Sequence, residues 1–142
     1  MANVFDVAKY ILSLKAPLST WKLQKLCYYA QAWHYTWTER PLFPNRIEAW
    51  ANGPVVVDLY NQHRGMFIIR DLSIGNIGSL SDDEKDSIDI VLQGYGDKEP
   101  YELVEQTHHE KPWLLARGGL PEGASCNNEI TLESMGAYYG SL

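Results

Sequence analysis

Apolar and aromatic side chains recur at helical spacing through TWKLQKLCYYAQAWHYTW, residues 20–37. At about 100° per residue, Leu23, Leu26, Cys27, Ala30, Trp33, His34 and Trp37 form one continuous stripe, the expected core face. Lys22, Lys25, Tyr29, Ala32 and Thr36 fall on a second arc, and Gln24, Tyr28, Gln31 and Tyr35 on a third. Large side chains on nearly every side mark a helix enclosed by its neighbours. The spacing therefore predicts a central helix over about 20–38, around which the rest of the chain is arranged. The tyrosine-bearing arcs allow two readings: filling of the core, or a surface that contacts another macromolecule, since interface centres favour Tyr, Trp and Arg.

Elsewhere the pattern gives shorter elements. Asn3 with Asp6 has the form of a capping box, and Val4, Val7, Ala8, Ile11 and Leu12 follow at helical spacing, predicting a helix over about 4–14. Pro17 stops it, and Ser19 or Thr20 caps the central helix, which ends near Glu39 before Pro41 and Pro44. PLFPNRIEAW reads as extended, with Ile47, Ala49 and Trp50 inward. Asn52-Gly53-Pro54 is the sharpest local signal: Gly53 allows a turn, and Pro54 suits a helix start, so VVVDLYNQHR is predicted helical although its valines favour strand. Residues 66–80 carry two short β-like runs broken by glycines, a hairpin or irregular excursion. Ser81 with Glu84 opens another capped helix whose apolar face is Ile88, Val91 and Leu92. EPYELVEQTHHE is helical with Tyr101, Leu103 and Val104 inward, PWLLAR adds a turn or two before Gly118-Gly119, LPEGASCNN is loop, and Thr131 caps a last short helix. The expected fold is mainly α, a single compact helical domain spanning 1–142.

Composition sharpens this only in part. The chain has 142 residues, 45% of them hydrophobic and 12% aromatic, which suits one globular domain with a core of its own. No apolar run is long enough to span a membrane and no signal peptide is visible, so the expected location is the cytoplasm. Cys27 and Cys126 have no framework spacing and read as free thiols. The net charge of −6 is unevenly spread, with eight Lys/Arg against four Asp/Glu in residues 1–70 and four against fourteen in 71–142. An acidic protein is poorly suited to hold a phosphate backbone unaided. The acidic half reads as a solvated face or as an attractor for a basic partner.

Few residues offer chemistry. Cys27 and His34 share a face but lie about 10 Å apart along a helix, at about 1.5 Å per residue, too far for a nucleophile pair needing about 3 Å. His108 and His109 are adjacent, so they point about 100° apart, whereas chelation from one helix uses spacings of three or four. No metal or cofactor is expected. No phosphate loop, nucleophile elbow or HExxH occurs. Lys22 and Lys25, a turn apart beside Tyr29, form a basic and aromatic arc that reads either as a contact for RNA or an acidic peptide, or as lysines snorkelling at a helix rim.

VFDVAKYIL, KLQKLCYYAQAWH, IEAWANGPVVVDLY and THHEKPW with a terminal YY together resemble the SocA-like antitoxin family, also called the Panacea domain, whose members include phage-associated proteins. The resemblance runs over roughly 4–139 and is weakest from 66 to 100. It implies a mainly α-helical domain without catalytic activity, which neutralises a toxin encoded beside it by direct binding; related members deliver a toxin to a protease. The family-type positions are Lys22, Leu23, Lys25, Leu26, Tyr28, Tyr29, Ala30 and Trp33, then Glu48, Ala49, Trp50, Gly53, Pro54 and Tyr60, and His108, Pro112 and Trp113. Of these, with Asn52 added, we expect Lys22, Lys25, Tyr28, Tyr29, Trp50, Asn52 and Tyr60 at a partner-binding surface. Leu23, Leu26, Trp33, Gly53, Pro54, His108, Pro112 and Trp113 are expected to be structural. A protease adaptor is the alternative reading; a metal-dependent enzyme built on His108 and His109, or a nucleic-acid binder, would be the departures from it.

Overall fold

Ten consecutive residues of the central helix, Leu23 to Ala32, are buried in the computed structural model, which describes all 142 residues. This helix, α2 (Thr20–Thr38), is capped by Ser19, whose Oγ accepts from Lys22 N at 3.0 Å, and ends at Glu39 in the left-handed region, φ 58°. It is enclosed by α1 (Val4–Lys15), α4 (Asp82–Tyr95), α5 (Pro100–His108) and α7 (Leu132–Tyr139), with α6 (Lys111–Arg117) against α7 and α3 (Val57–His63) completing the shell. The architecture is mainly α, as expected, over a core of 31 buried residues that includes Leu23 and Leu26. Trp37, expected on the core stripe, is instead 46% exposed because it lies beyond the part of α2 that its neighbours cover.

Local signals placed the helix starts well. Asn3 Oδ1 accepts from Phe5 and Asp6 N, while Asp6 Oδ2 accepts from Asn3 N at 2.9 Å. The second oxygen of this buried aspartate accepts from Asn76 N at 2.7 Å, tying a 3-10 turn (Ile77–Ser79) to α1. The Ser81–Glu84 box opens α4 in the same way, and Ile88, Val91 and Leu92 are its buried face.

Two expectations need correction, and the choice left open for residues 66–80 falls to the irregular excursion. Val55 and Val56 continue a strand rather than a helix: β2 (Ile47–Trp50) pairs antiparallel with β3 (Gly53–Val56), register Ile47 with Val56 and Trp50 with Gly53, and α3 starts only at Val57. Pro54 is thus inside a strand, not at a helix start. Its carbonyl points away from β2, so the absent N–H falls on the same outer side and removes no ladder bond. Residues 66–80 make no hairpin of their own. Instead β4 (Ile68–Ile69) pairs with β1 (Leu18–Ser19), far upstream, and the remainder is irregular. Tyr101 is 72% exposed, leaving Leu103 as the buried residue of α5 with Thr107.

Candidate functional site

The hairpin has no free edge. On the β2 side, Ala49 N donates to Asn128 O at 2.9 Å, Ile130 N donates to Ile47 O at 2.9 Å, and Arg117 Nη1 donates to Ala49 O at 3.0 Å. On the β3 side, α2 supplies side chains where a third strand would lie. The Gln24 amide accepts from Val56 N at 2.8 Å and donates to Val56 O at 3.2 Å, and Lys25 Nζ donates to Pro54 O at 3.1 Å. Unpaired strand edges are costly when buried, so this pair of side chains fixes the hairpin against the start of α2. Two helical turns on, Gln31 repeats the device, donating to Phe43 O at 2.7 Å and accepting from Leu42 N at 2.6 Å.

A cleft of about 880 Å³ opens beside this seam, between the first turns of α2, the hairpin, the chain from Tyr60 to Phe67 and the loop 125–127. Lys25, Trp50, Asn52 and Tyr60, four of the expected partner-binding residues, line it. Lys25 forms an inner wall and is only 2% exposed. Burial pushes its ammonium down to about 7, since the carbonyl of Pro54 is the single hydrogen-bond acceptor it has found. His63 is also buried, and desolvation lowers its pKa, with the Lys25 charge acting in the same direction. Because Gln24 Nε2 donates to it at 3.0 Å, His63 Nε2 acts as acceptor, and the ring is neutral. Trp50 packs edge-on to Tyr60 with centroids 4.9 Å apart, and its Nε1 donates to Glu48 Oε1 at 2.8 Å. Glu48 is in turn held by Arg46 Nε at 2.9 Å.

The rim is apolar and exposed. Trp21 is 49%, Met66 45% and Phe67 84% exposed. Phe67 is nonetheless held by its backbone: Thr20 N donates to Phe67 O at 2.9 Å, Thr20 Oγ1 donates to Met66 O at 3.1 Å, and β4 follows directly.

The family model for antitoxin SocA-like, Panacea domain, matches residues 23–114. The chain belongs to that family. The match is narrower than the resemblance over 4–139, starting within α2 and ending within α6. No curated protein and no solved structure matches the chain. The Panacea match contains the hairpin and its two capping side chains. Trp21 and the 125–127 wall of the cleft lie outside it.

Three of the expected partner-binding residues are placed otherwise. Tyr28 and Tyr29 are 1% and 0% exposed. They belong to a buried cluster: Tyr29 donates to Glu110 Oε1 at 2.7 Å, Tyr139 donates to the same oxygen at 2.8 Å, and Tyr28 meets the Tyr139 hydroxyl at 3.1 Å. Tyr29 also stacks on Tyr95 at 4.0 Å, and Trp33 Nε1 donates to the Tyr95 hydroxyl at 3.0 Å. Helical periodicity put these rings on outer arcs, but α4, α5 and α7 cover those arcs, so core filling is the reading that holds. Lys22 is half-buried and lies off the cleft. With Lys25 enclosed, the basic arc is not a surface, and Lys25 does not snorkel to a rim.

The C-terminal motif is built around a stack. The His108 ring lies 4.1 Å from the Trp113 ring at 7°, and Arg117 lies 4.7 Å above that indole. Trp113 Nε1 donates to Trp50 O at 2.9 Å, and Arg117 donates to the carbonyls of Ala49, Pro121 and Ala124. Pro112, buried, lies in the first turn of α6. His109 is turned to solvent beside Glu105, and no three His, Cys, Asp or Glu side chains are placed so that they could hold a metal ion. Cys27 is enclosed in the core, and Cys126, half-buried, lines the cleft; both are free thiols. Reasoning from sequence did not mark Gln24, Glu110, Arg117, Trp21 or Phe67. The matched spacing of Gln24 and Gln31 was the one usable signal among them.

Proposed function

We propose that this domain neutralises a toxin encoded beside it by binding that toxin directly, with the cleft and its rim as the contact surface. The observation that carries this reading is Phe67, 84% exposed on a backbone pinned to the start of α2. A large apolar side chain held out by a fixed backbone loses little freedom on docking, the property expected of an interface anchor. Trp21, Met66, Trp50 and Tyr60 surround it with residue types that interface centres favour.

The polar groups of the cleft support a binding role rather than catalysis. Lys25 is engaged by Pro54, His63 by Gln24, and Glu48 by Arg46 and Trp50, so these three titratable groups are each held by the fold. The chain carries no helix long and apolar enough to cross a membrane; we place its action in the cytoplasm, where a toxin made by an adjacent gene would meet it.

Coexpression with the adjacent toxic gene tests this. Growth should be restored and the two proteins should copurify as a complex burying about 1,600 Å² in total. Toxicity unrelieved, with no copurification, would remove the reading. Rescue that disappears in a protease-deficient host would turn it into delivery to a protease.

A further inference from the structure

The charge in the cleft is unbalanced. Its one carboxylate, Glu48, is already neutralised by Arg46. Its two basic side chains, Lys25 and Arg64, have no carboxylate within ion-pair distance. Lys25 is enclosed and spends one hydrogen bond on Pro54 O, while Arg64 is exposed where α3 ends and the chain turns through Gly65, φ 86°, towards Phe67. This positive spot belongs to a protein of net charge −6 whose acidic residues are concentrated elsewhere in the chain.

We infer that the cleft accepts a segment of the toxin that carries an acidic side chain between apolar ones. The carboxylate meets Arg64 at the mouth, and the apolar neighbours lie against Trp21, Trp50 and Phe67. Arg presents a planar fork of donors suited to a carboxylate, and a partner carboxylate would supply the balance that the cleft lacks. Like charge at the same place would be repelled, so this feature also selects among partners. The inference rests on the toxin-binding reading above, which it deepens by naming the chemistry of the segment bound.

The test uses the adjacent toxin and the full chain. Arg64→Glu, at an exposed position, should keep the far-ultraviolet circular dichroism and melting of the wild type. Its association with the toxin at low salt should be slower by about tenfold or more, and the salt dependence of the wild-type rate should flatten. Each surface Asp or Glu of the toxin is then reversed to Lys; one reversal should weaken binding to the wild type and restore binding to Arg64→Glu. Wild-type binding with Arg64→Glu equally fast, or with no reversal restoring it, overturns the acidic segment while leaving toxin binding intact. A wild type that does not bind the toxin at all removes the underlying reading, and this one with it.

Discussion

The ε-carbon of Lys25 lies 2.6 Å from the place a Cβ on Gly53 would occupy, and Thr107 Oγ1 lies 3.0 Å from it. Gly53 also has φ 112°, a region that L side chains rarely adopt. The turn of the hairpin and the path of the lysine that caps its edge are therefore one feature. Gly53→Ala should destabilise the fold by roughly 3 kcal/mol, combining backbone strain with overpacking. Denaturant midpoints would measure it. The steric share is expected to shrink in a Lys25→Ala background, where the lysine contact is gone and only that with Thr107 remains, so a double-mutant cycle should give a coupling of about 1 kcal/mol. An unchanged midpoint for Gly53→Ala alone would refute this account.

Lys25 should give the fold an alkaline slope. Burial lowers its pKa from 10.5 to about 7, while the unfolded chain keeps the ordinary value. Between these values unfolding takes up a proton, so stability rises with pH across that window, by up to about 1.4 kcal/mol per unit. Tyr28, Tyr29 and Tyr139, whose hydroxyls burial pushes upward, act in the opposite direction once unfolded tyrosines ionise. The measurement therefore belongs between about pH 7 and 9.5, below the ordinary tyrosine range. Lys25→Met should flatten the slope whatever its effect on absolute stability. A wild-type slope identical to that of Lys25→Met would exclude the lowered pKa of Lys25.

Glu110 accepts from two tyrosines on one oxygen, Tyr29 at 2.7 Å and Tyr139 at 2.8 Å, and the Tyr28 hydroxyl completes the chain through Tyr139. Glu110→Ala removes the acceptor and should cost about 3 kcal/mol by leaving buried hydroxyls without partners. Glu110→Gln keeps an acceptor and should fall within about 1 kcal/mol of the wild type at neutral pH. Desolvation, opposed by these hydrogen bonds, raises the Glu110 pKa above 4.5. A raised carboxyl contributes stability that is full below 4.5 and is lost as pH rises through the folded value. The stability difference of wild type minus Glu110→Gln should thus decline as pH increases from 4.5. Chemical denaturation at several pH values would record it, and a difference that grows instead would reverse the assignment.

The elements that sequence alone placed correctly carry their signals locally. Asn3 with Asp6, Ser81 with Glu84, and Ser19 before α2 each satisfy N–H groups within one turn, so the fold does not need to be known to see them. The hairpin was misread because Gly53-Pro54 imitates a helix start, and the competing partner of the valines, β2, precedes the turn. β4 pairs with a strand on the far side of α2 and the hairpin, which no local pattern reports. The site divides along the same line. Trp50, Asn52 and Tyr60 surround the legible turn and do line the cleft, whereas Trp21 and Phe67 become a rim only through the β1–β4 pairing. Tyr28 and Tyr29 were ambiguous because helical periodicity gives a direction for each side chain and says nothing about what packs there.

Phe67 separates folding from binding. Its ring is 84% exposed, so Phe67→Ser should change stability by no more than about 0.5 kcal/mol. If the ring anchors the toxin, the same change should weaken binding by about 2 kcal/mol, roughly 30-fold in Kd, and reduce growth rescue. Trp21→Ser should act in the same direction. Exposure alone would not produce this effect, and two other residues provide the contrast. Tyr101 and Leu115 are 72% and 67% exposed but lie off the cleft, and replacing either with Ser should leave the toxin affinity unchanged. Calorimetric titration of the four variants against the toxin, with melting curves for each, decides it. Full affinity in Phe67→Ser and Trp21→Ser would place the contact elsewhere on the molecule, as would losses of equal size at Tyr101 or Leu115.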